Sequence, residues 1–163
     1  MNCLSLFSNA NFLSKIYSGI LLLSVSLAFA SGEQELIDAV HADNAQSVKN
    51  ILAQHGNINL EVRDFQDDTP LMIAADKGNF EIALALLEKG AKIDTKNHAG
   101  ATAMMLAVFG RNTQLMQELT KRCPKCVDAT SNHGDTALDF ARMTGQTEMT
   151  KILEKAKTLK SEL

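Results

Sequence analysis

The side chains best equipped for chemistry in this chain are the two thiols of Cys123-Pro124-Lys125-Cys126. Two cysteines at this spacing can close a short-range disulfide, hold a metal, or cycle between dithiol and disulfide. A redox pair works best when the first thiol sits at a helix N-terminus, whose dipole favours the thiolate. Cys123 instead follows a stretch with helical spacing, where the dipole has the wrong sign, and no βαβ pattern surrounds it. A metal would find His133 seven residues beyond Cys126 and no evident fourth ligand. The expectation is a structural disulfide between Cys123 and Cys126, with thiol-redox chemistry, metal handling and free thiols as alternatives. It would close a tiny loop and contribute little by chain entropy.

Elsewhere the inventory is sparse. His41, His55, His98 and His133 show no ligand spacing, and no nucleophile stands beside a base. There is no phosphate-cradling glycine loop and no carboxylate pair, so no catalytic, cofactor-binding or metal residues are expected, and no enzyme. The 16 Lys and Arg against 19 Asp and Glu give a net charge of −3 without a basic cluster. That balance speaks against nucleic acid and anionic membranes as partners.

Residues 1–30 contain one charge, Lys15, followed by the apolar run Ile16 to Ala30 and ending in Ala28-Phe29-Ala30. Some 15 apolar-leaning residues fall short of the roughly 20 of a spanning helix, and the small-x-small ending reads as a cleavage site. The segment is expected to be a signal peptide cleaved after Ala30, with an uncleaved anchor as the alternative; cleavage leaves 31–163 as one domain without stable membrane association. The expected home is the periplasm, with a secreted form as the alternative. Lys160-Ser161-Glu162-Leu163 differs by one residue from an endoplasmic-reticulum retrieval tail, a match that short tails reach by chance.

What must position any functional residue is a repeat. Asp64, Thr69-Pro70-Leu71, Ala74-Ala75, Gly78-Asn79, Leu86-Leu87 and Gly90-Ala91 form one unit. Asn97, Gly100, Thr102, Ala107, Asn112, Leu115 and Leu119 follow in the next, then Ser131, Gly134, Thr136-Ala137-Leu138, Ala141, Gly145 and Leu153. Thr69, Thr102 and Thr136 are spaced 33 and 34 residues apart, a period that marks a solenoid. Thr69 is placed to N-cap a short helix with Pro70 at its first turn, and Gly78 to end it in a left-handed turn. Phe80, Ile82, Ala83, Leu86 and Leu87 carry the spacing of a second helix. Thr136 and Asp139 stand where a reciprocal cap can form. Leu36, Ala39, Val48, Ile51-Leu52 and Ile58 outline a weaker first unit, with a polar surface at Asp43, Asn44, Gln46, Lys49 and Asn50. In the last unit Glu154 takes the place of Leu87, as suits a capping repeat with one wet face. Lys151 to Lys160 is expected to be a charged extension that frays.

These units resemble ankyrin repeats: Thr69-Pro70-Leu71-Met72-Ile73-Ala74-Ala75 is similar to the family's Thr-Pro-Leu-His-x-Ala-Ala, with Met72 in place of His. The third unit departs further, with Ala103 for Pro and the glycine one place early at Gly110-Arg111. The resemblance implies an all-α ankyrin-repeat solenoid of about four helix-turn-helix units with short hairpin-like loops. The units span about 33–63, 64–96, 97–130 and 131–157. It also implies a protein partner, bound on a concave face of hairpin tips and first helices. Carried over by position, the protein-binding residues are Phe65, Gln66, Asp68, Asp76, Lys77, His98, Phe109, His133 and Met143. Phe65, Phe109 and Met143 would be the apolar anchors, unless Phe65 folds onto its own hairpin and Phe109 fills the groove between units. The expected function is an exported, monomeric protein-interaction module. A thiol-redox or metal-handling protein and an effector acting on host proteins are the alternatives.

Overall fold

The computed structural model describes residues 32–161; the segment read as a signal peptide lies outside them. Four pairs of antiparallel helices follow one another. The described part of α1 covers residues 32–41 and α2 is Ala45–Gln54. Then come α3 (Pro70–Asp76), α4 (Phe80–Glu88), α5 (Ala103–Phe109), α6 (Thr113–Arg122), α7 (Ala137–Met143) and α8 (Thr147–Ser161). A 3-10 turn, Pro124–Asp128, stands between α6 and α7. Among the described residues there is no β-strand, only an isolated bridge between Thr130 and Thr136.

The helices stack in two layers. α3 packs on α5 and α5 on α7 in one, while α2, α4, α6 and α8 pack in sequence in the other. The seven-residue inner helices are too short to be stable alone, so their stability comes from burial between neighbours. Leu71, Met72, Ala74 and Ala75 of α3 and Met104, Met105, Ala107 and Val108 of α5 are all at most 1 % exposed. The alanines let successive helices approach closely, and the flexible methionines fill the remaining gaps. Ile82, Leu86, Leu115, Leu119, Met149 and Leu153 close the core from the outer layer.

Most of the helix starts have a local device. Asn44, Asn79 and Asn112 cap the outer helices by accepting from the backbone N–H of Ser47, Ile82 and Leu115 at 3.0, 2.9 and 2.8 Å. Thr136 and Asp139 form the reciprocal capping box. The hydrogen bonds from the Thr136 hydroxyl and N–H hold the Asp139 carboxyl below its ordinary pKa. Thr69 accepts from Met72 N at a long 3.4 Å. Thr102, in register with both, caps nothing: its hydroxyl is buried without a hydrogen-bond partner among the described residues.

The displaced glycine of the third unit has a physical reason. In units two and four the residue after the inner helix's C-cap is left-handed and is glycine, Gly78 and Gly145, each at φ 68°. In unit three that place is held by Arg111 at φ 52°, and Gly110 precedes it with φ −67°. A side chain on Gly110 would begin 2.1 Å from the carbonyl oxygen of Ala75, so contact with the preceding unit requires the glycine there. Arg111 carries the conformational cost instead. Arg111→Gly should therefore raise the unfolding free energy by about 1 kcal/mol, measured by urea melts; a loss of stability would mean that the arginine side chain is doing compensating work.

The C-terminal extension does not fray as its charge suggests. α8 runs without a break to Ser161 and packs against the 3-10 turn as well as α6 and α7. Lys160 pairs with Asp128 of that turn. Ala156 continues the buried stripe of Met149 and Leu153, and this apolar anchoring keeps the last turns helical.

Candidate functional site

Three five-residue hairpin turns link the units, and each is closed from its first residue. Asp64 Oδ1 accepts from the N–H of Gln66 and Asp68 at 2.8 and 3.0 Å. Asn97 Oδ1 accepts from Ala99 and Ala101 at 3.0 and 2.9 Å. Ser131 Oγ accepts from His133 and Asp135 at 3.2 and 3.3 Å. The fourth residue of each turn is left-handed: Asp67 at φ 66°, Gly100 at 72° and Gly134 at 88°. These side chain to backbone closures explain why Asp, Asn and Ser recur at the start of the units.

The turns are then tied to one another. Asn97 Nδ2 donates to Asp68 Oδ1 at 2.7 Å, and Asn132 Nδ2 donates to the His98 carbonyl at 2.8 Å. Arg63 donates to the carbonyls of Asp67 and Lys96 at 2.9 and 3.0 Å. Asp67 pairs with both Arg63 and the His98 ring, at 2.8 and 3.0 Å. Burial raises the Asp68 carboxyl above its ordinary pKa against the hydrogen bond from Asn97, with Asp64, Asp76 and Asp67 adding to the rise. At the first boundary the His41 ring meets the Asp64 carboxylate at 3.0 Å, where the Asp64 side chain is only 1 % exposed. The tips therefore form a row held in place across unit boundaries.

The expected binding positions behave differently within this frame. Phe65 is 89 % exposed and does not fold onto its own hairpin; its ring stacks on His41 of the preceding unit, centroids 6.1 Å apart. Met143 is 75 % exposed at the end of α7. Phe109 is 48 % exposed and leans on the Phe140 ring at 5.4 Å, so it fills part of the space between units while keeping one side open. Gln66, Asp76, Lys77, His98 and His133 are exposed. Asp68 and His98 are also committed to the lattice between turns, so their substitution would disturb the frame. The pairings of His41 with Asp64 and of His98 with Asp67 escaped the sequence. Both join residues of different units, and only unit stacking brings them together.

Cys123 and Cys126 form a disulfide, with Cα atoms 5.4 Å apart. Cys123 ends α6 and starts the 3-10 turn, and Cys126 is buried in the core beside Val127. Among the described residues no group of three or more His, Cys, Asp or Glu is placed to hold a metal ion. Among the same residues no helix is long and apolar enough to cross a membrane.

Comparison with known proteins agrees with this geometry. Residues 20–97 match the family model described as ankyrin repeats (3 copies), and the same helix-pair stacking continues beyond the matched region through α8. Among similar proteins, the NF-kappa-B inhibitor cactus of Drosophila yakuba is 29 % identical over 117 residues, 71 % of this chain and 24 % of the relative. The human transient receptor potential cation channel subfamily A member 1 is 36 % identical over 136 residues, 82 % of this chain and 11 % of the channel. A putative ankyrin repeat protein of Coxiella burnetii is 40 % identical over 93 residues, 52 % of this chain and 28 % of the relative. In each case the chain spans less than a third of the relative's length.

Proposed function

The chain carries ankyrin repeats stacked as an all-α solenoid, and from that we propose that it is a protein-interaction module whose partner seats on the hairpin tips and inner helices. Ankyrin repeats are generally protein-binding units, and the observation that carries the reading here is Phe65. An aromatic ring 89 % exposed on a turn fixed by Asp64 costs solvation in the free protein and offers a pre-placed anchor. Met143 and the open side of Phe109 supply further apolar contact, and Asp76 and Lys77 a charged rim. Because the tips are cross-tied, little ordering entropy is lost on association.

Phe65→Ala should weaken partner binding by about 1–2 kcal/mol while changing stability by no more than about 0.5 kcal/mol, since the ring is 89 % exposed. Glu81→Ala on α4 is the control; it removes only an exposed pair with Lys49 at 2.5 Å. The partner is obtained by pull-down from the native envelope fraction, and the variants are compared by calorimetric titration. Loss of binding in Glu81→Ala with Phe65→Ala intact would reject the proposed face.

The same proposal includes export. It rests on the composition of residues 1–30, with Lys15, the apolar run and Ala28-Phe29-Ala30. N-terminal sequencing of protein from its native host should find Ser31 first. A start at Met1 in membrane-bound material would remove the periplasmic assignment.

A further inference from the structure

The outer layer holds a second surface, away from the hairpin turns. A groove of about 670 Å³ opens between α6 and α8. Ile152, Ala156 and Leu159 of α8 lie at i, i+4 and i+7 and form an apolar stripe along it. The stripe is about 10 Å long, two helical turns. Ala156 is nearly buried, whereas Leu159 is 52 % exposed. Pro124 also lines it, carried by the 3-10 turn that the Cys123–Cys126 disulfide staples. Lys121 lines the groove from α6 and Lys155 from α8. Neither ammonium has an ion-pair or hydrogen-bond partner among the described residues, although Lys151 and Lys160 on the same helix are both paired.

We propose that this groove docks an acidic amphipathic helix of a partner protein. Its apolar stripe shares the groove with two unpartnered lysines, one from each wall, in a chain whose net charge is −3. Local positive charge on an otherwise acidic protein selects carboxylates. The walls are helices whose backbone groups are already hydrogen-bonded, so an extended peptide would find no strand edge to pair with. A helix lying between α6 and α8 can instead set residues at i, i+3 or i+4 and i+7 on the stripe and aim Asp or Glu at the lysines. Two lysines flanking a concavity are too few for an anionic membrane surface, which calls for a larger basic cluster. The site is separate from the face that carries Phe65, so both can be occupied together.

The test pans a library of helical peptides against the protein, with Leu159→Asp as the counter-selection. Circular dichroism melts verify that this exposed substitution leaves the fold intact. Enriched peptides should pair Asp or Glu with large aliphatic residues at helical spacing. In fluorescence-anisotropy titrations they should bind the wild type at least about tenfold more tightly than Leu159→Asp or the double variant Lys121→Glu/Lys155→Glu. Lysine-for-glutamate versions of the same peptides should regain binding to the double variant, and Phe65→Ala should leave all affinities unchanged. The proposal is overturned by absence of enrichment or by peptides indifferent to Leu159→Asp. It also fails if acidic and basic peptides bind equally, or if Leu159→Asp abolishes a self-association seen in sedimentation, which would make a second copy the occupant.

Discussion

Leu86→Ala should lower the unfolding free energy by about 2–5 kcal/mol, the range for deleting a fully buried leucine and leaving a cavity. Leu86 has no exposed surface, and α4 packs against α3 of its own unit and against α2 and α6 of the two neighbouring units, so its surroundings cannot collapse freely into the void. The comparison that gives the number meaning is Glu154→Ala. Glu154 stands in the last unit where Leu87 stands in the second, but its side chain is 49 % exposed and pairs with Arg142 at 2.8 Å. Removing it should change stability by no more than about 0.5 kcal/mol. Denaturant melts of both variants test the register of the repeat. Comparable losses at the two positions would mean that the units are misaligned.

Gly110→Ala should destabilise by about 3 kcal/mol, at the upper end for an overpacked site. Local preference alone gives the opposite sign: Gly110 has φ −67°, where alanine is favoured over glycine by about 0.5–1 kcal/mol. The added methyl, however, would stand 2.1 Å from the Ala75 carbonyl oxygen, 2.7 Å from Gly78 N and 2.9 Å from the Asp76 carbonyl oxygen. All three are backbone atoms at the end of α3, so no side chain can swing aside, and the units must separate. Gly56→Ala is the control, because a methyl there meets nothing within 4 Å; it should be neutral or slightly stabilising. Urea melts decide between the two accounts. An unchanged or raised midpoint for Gly110→Ala would show that units two and three do not approach as closely as described.

The amino-acid sequence by itself determined the architecture, because the determinants of a repeat are local and recur. Thr69 and Pro70 mark a helix start, Gly78 marks its end, and the spacing of Ile82, Leu86 and Leu87 marks an apolar face, all without reference to any neighbour. The reciprocal cap of Thr136 and Asp139 was legible for the same reason: both partners lie within one helical turn. What lay beyond the sequence was every property set between units. Nothing in the run of residues shows that Gly110 is held by the backbone of α3, that Thr102 buries an idle hydroxyl, or that Phe65 stacks on His41 from the previous unit. Charge made Lys151 to Lys160 look loose, and only contact with the 3-10 turn and α6 shows why α8 stays helical. The groove beside Lys121 and Lys155 also exists only once α6 and α8 are side by side. Local hydrogen bonds and apolar periodicity fix where each helix runs; the separations between units are closed by packing, and packing decides which side chains remain in water.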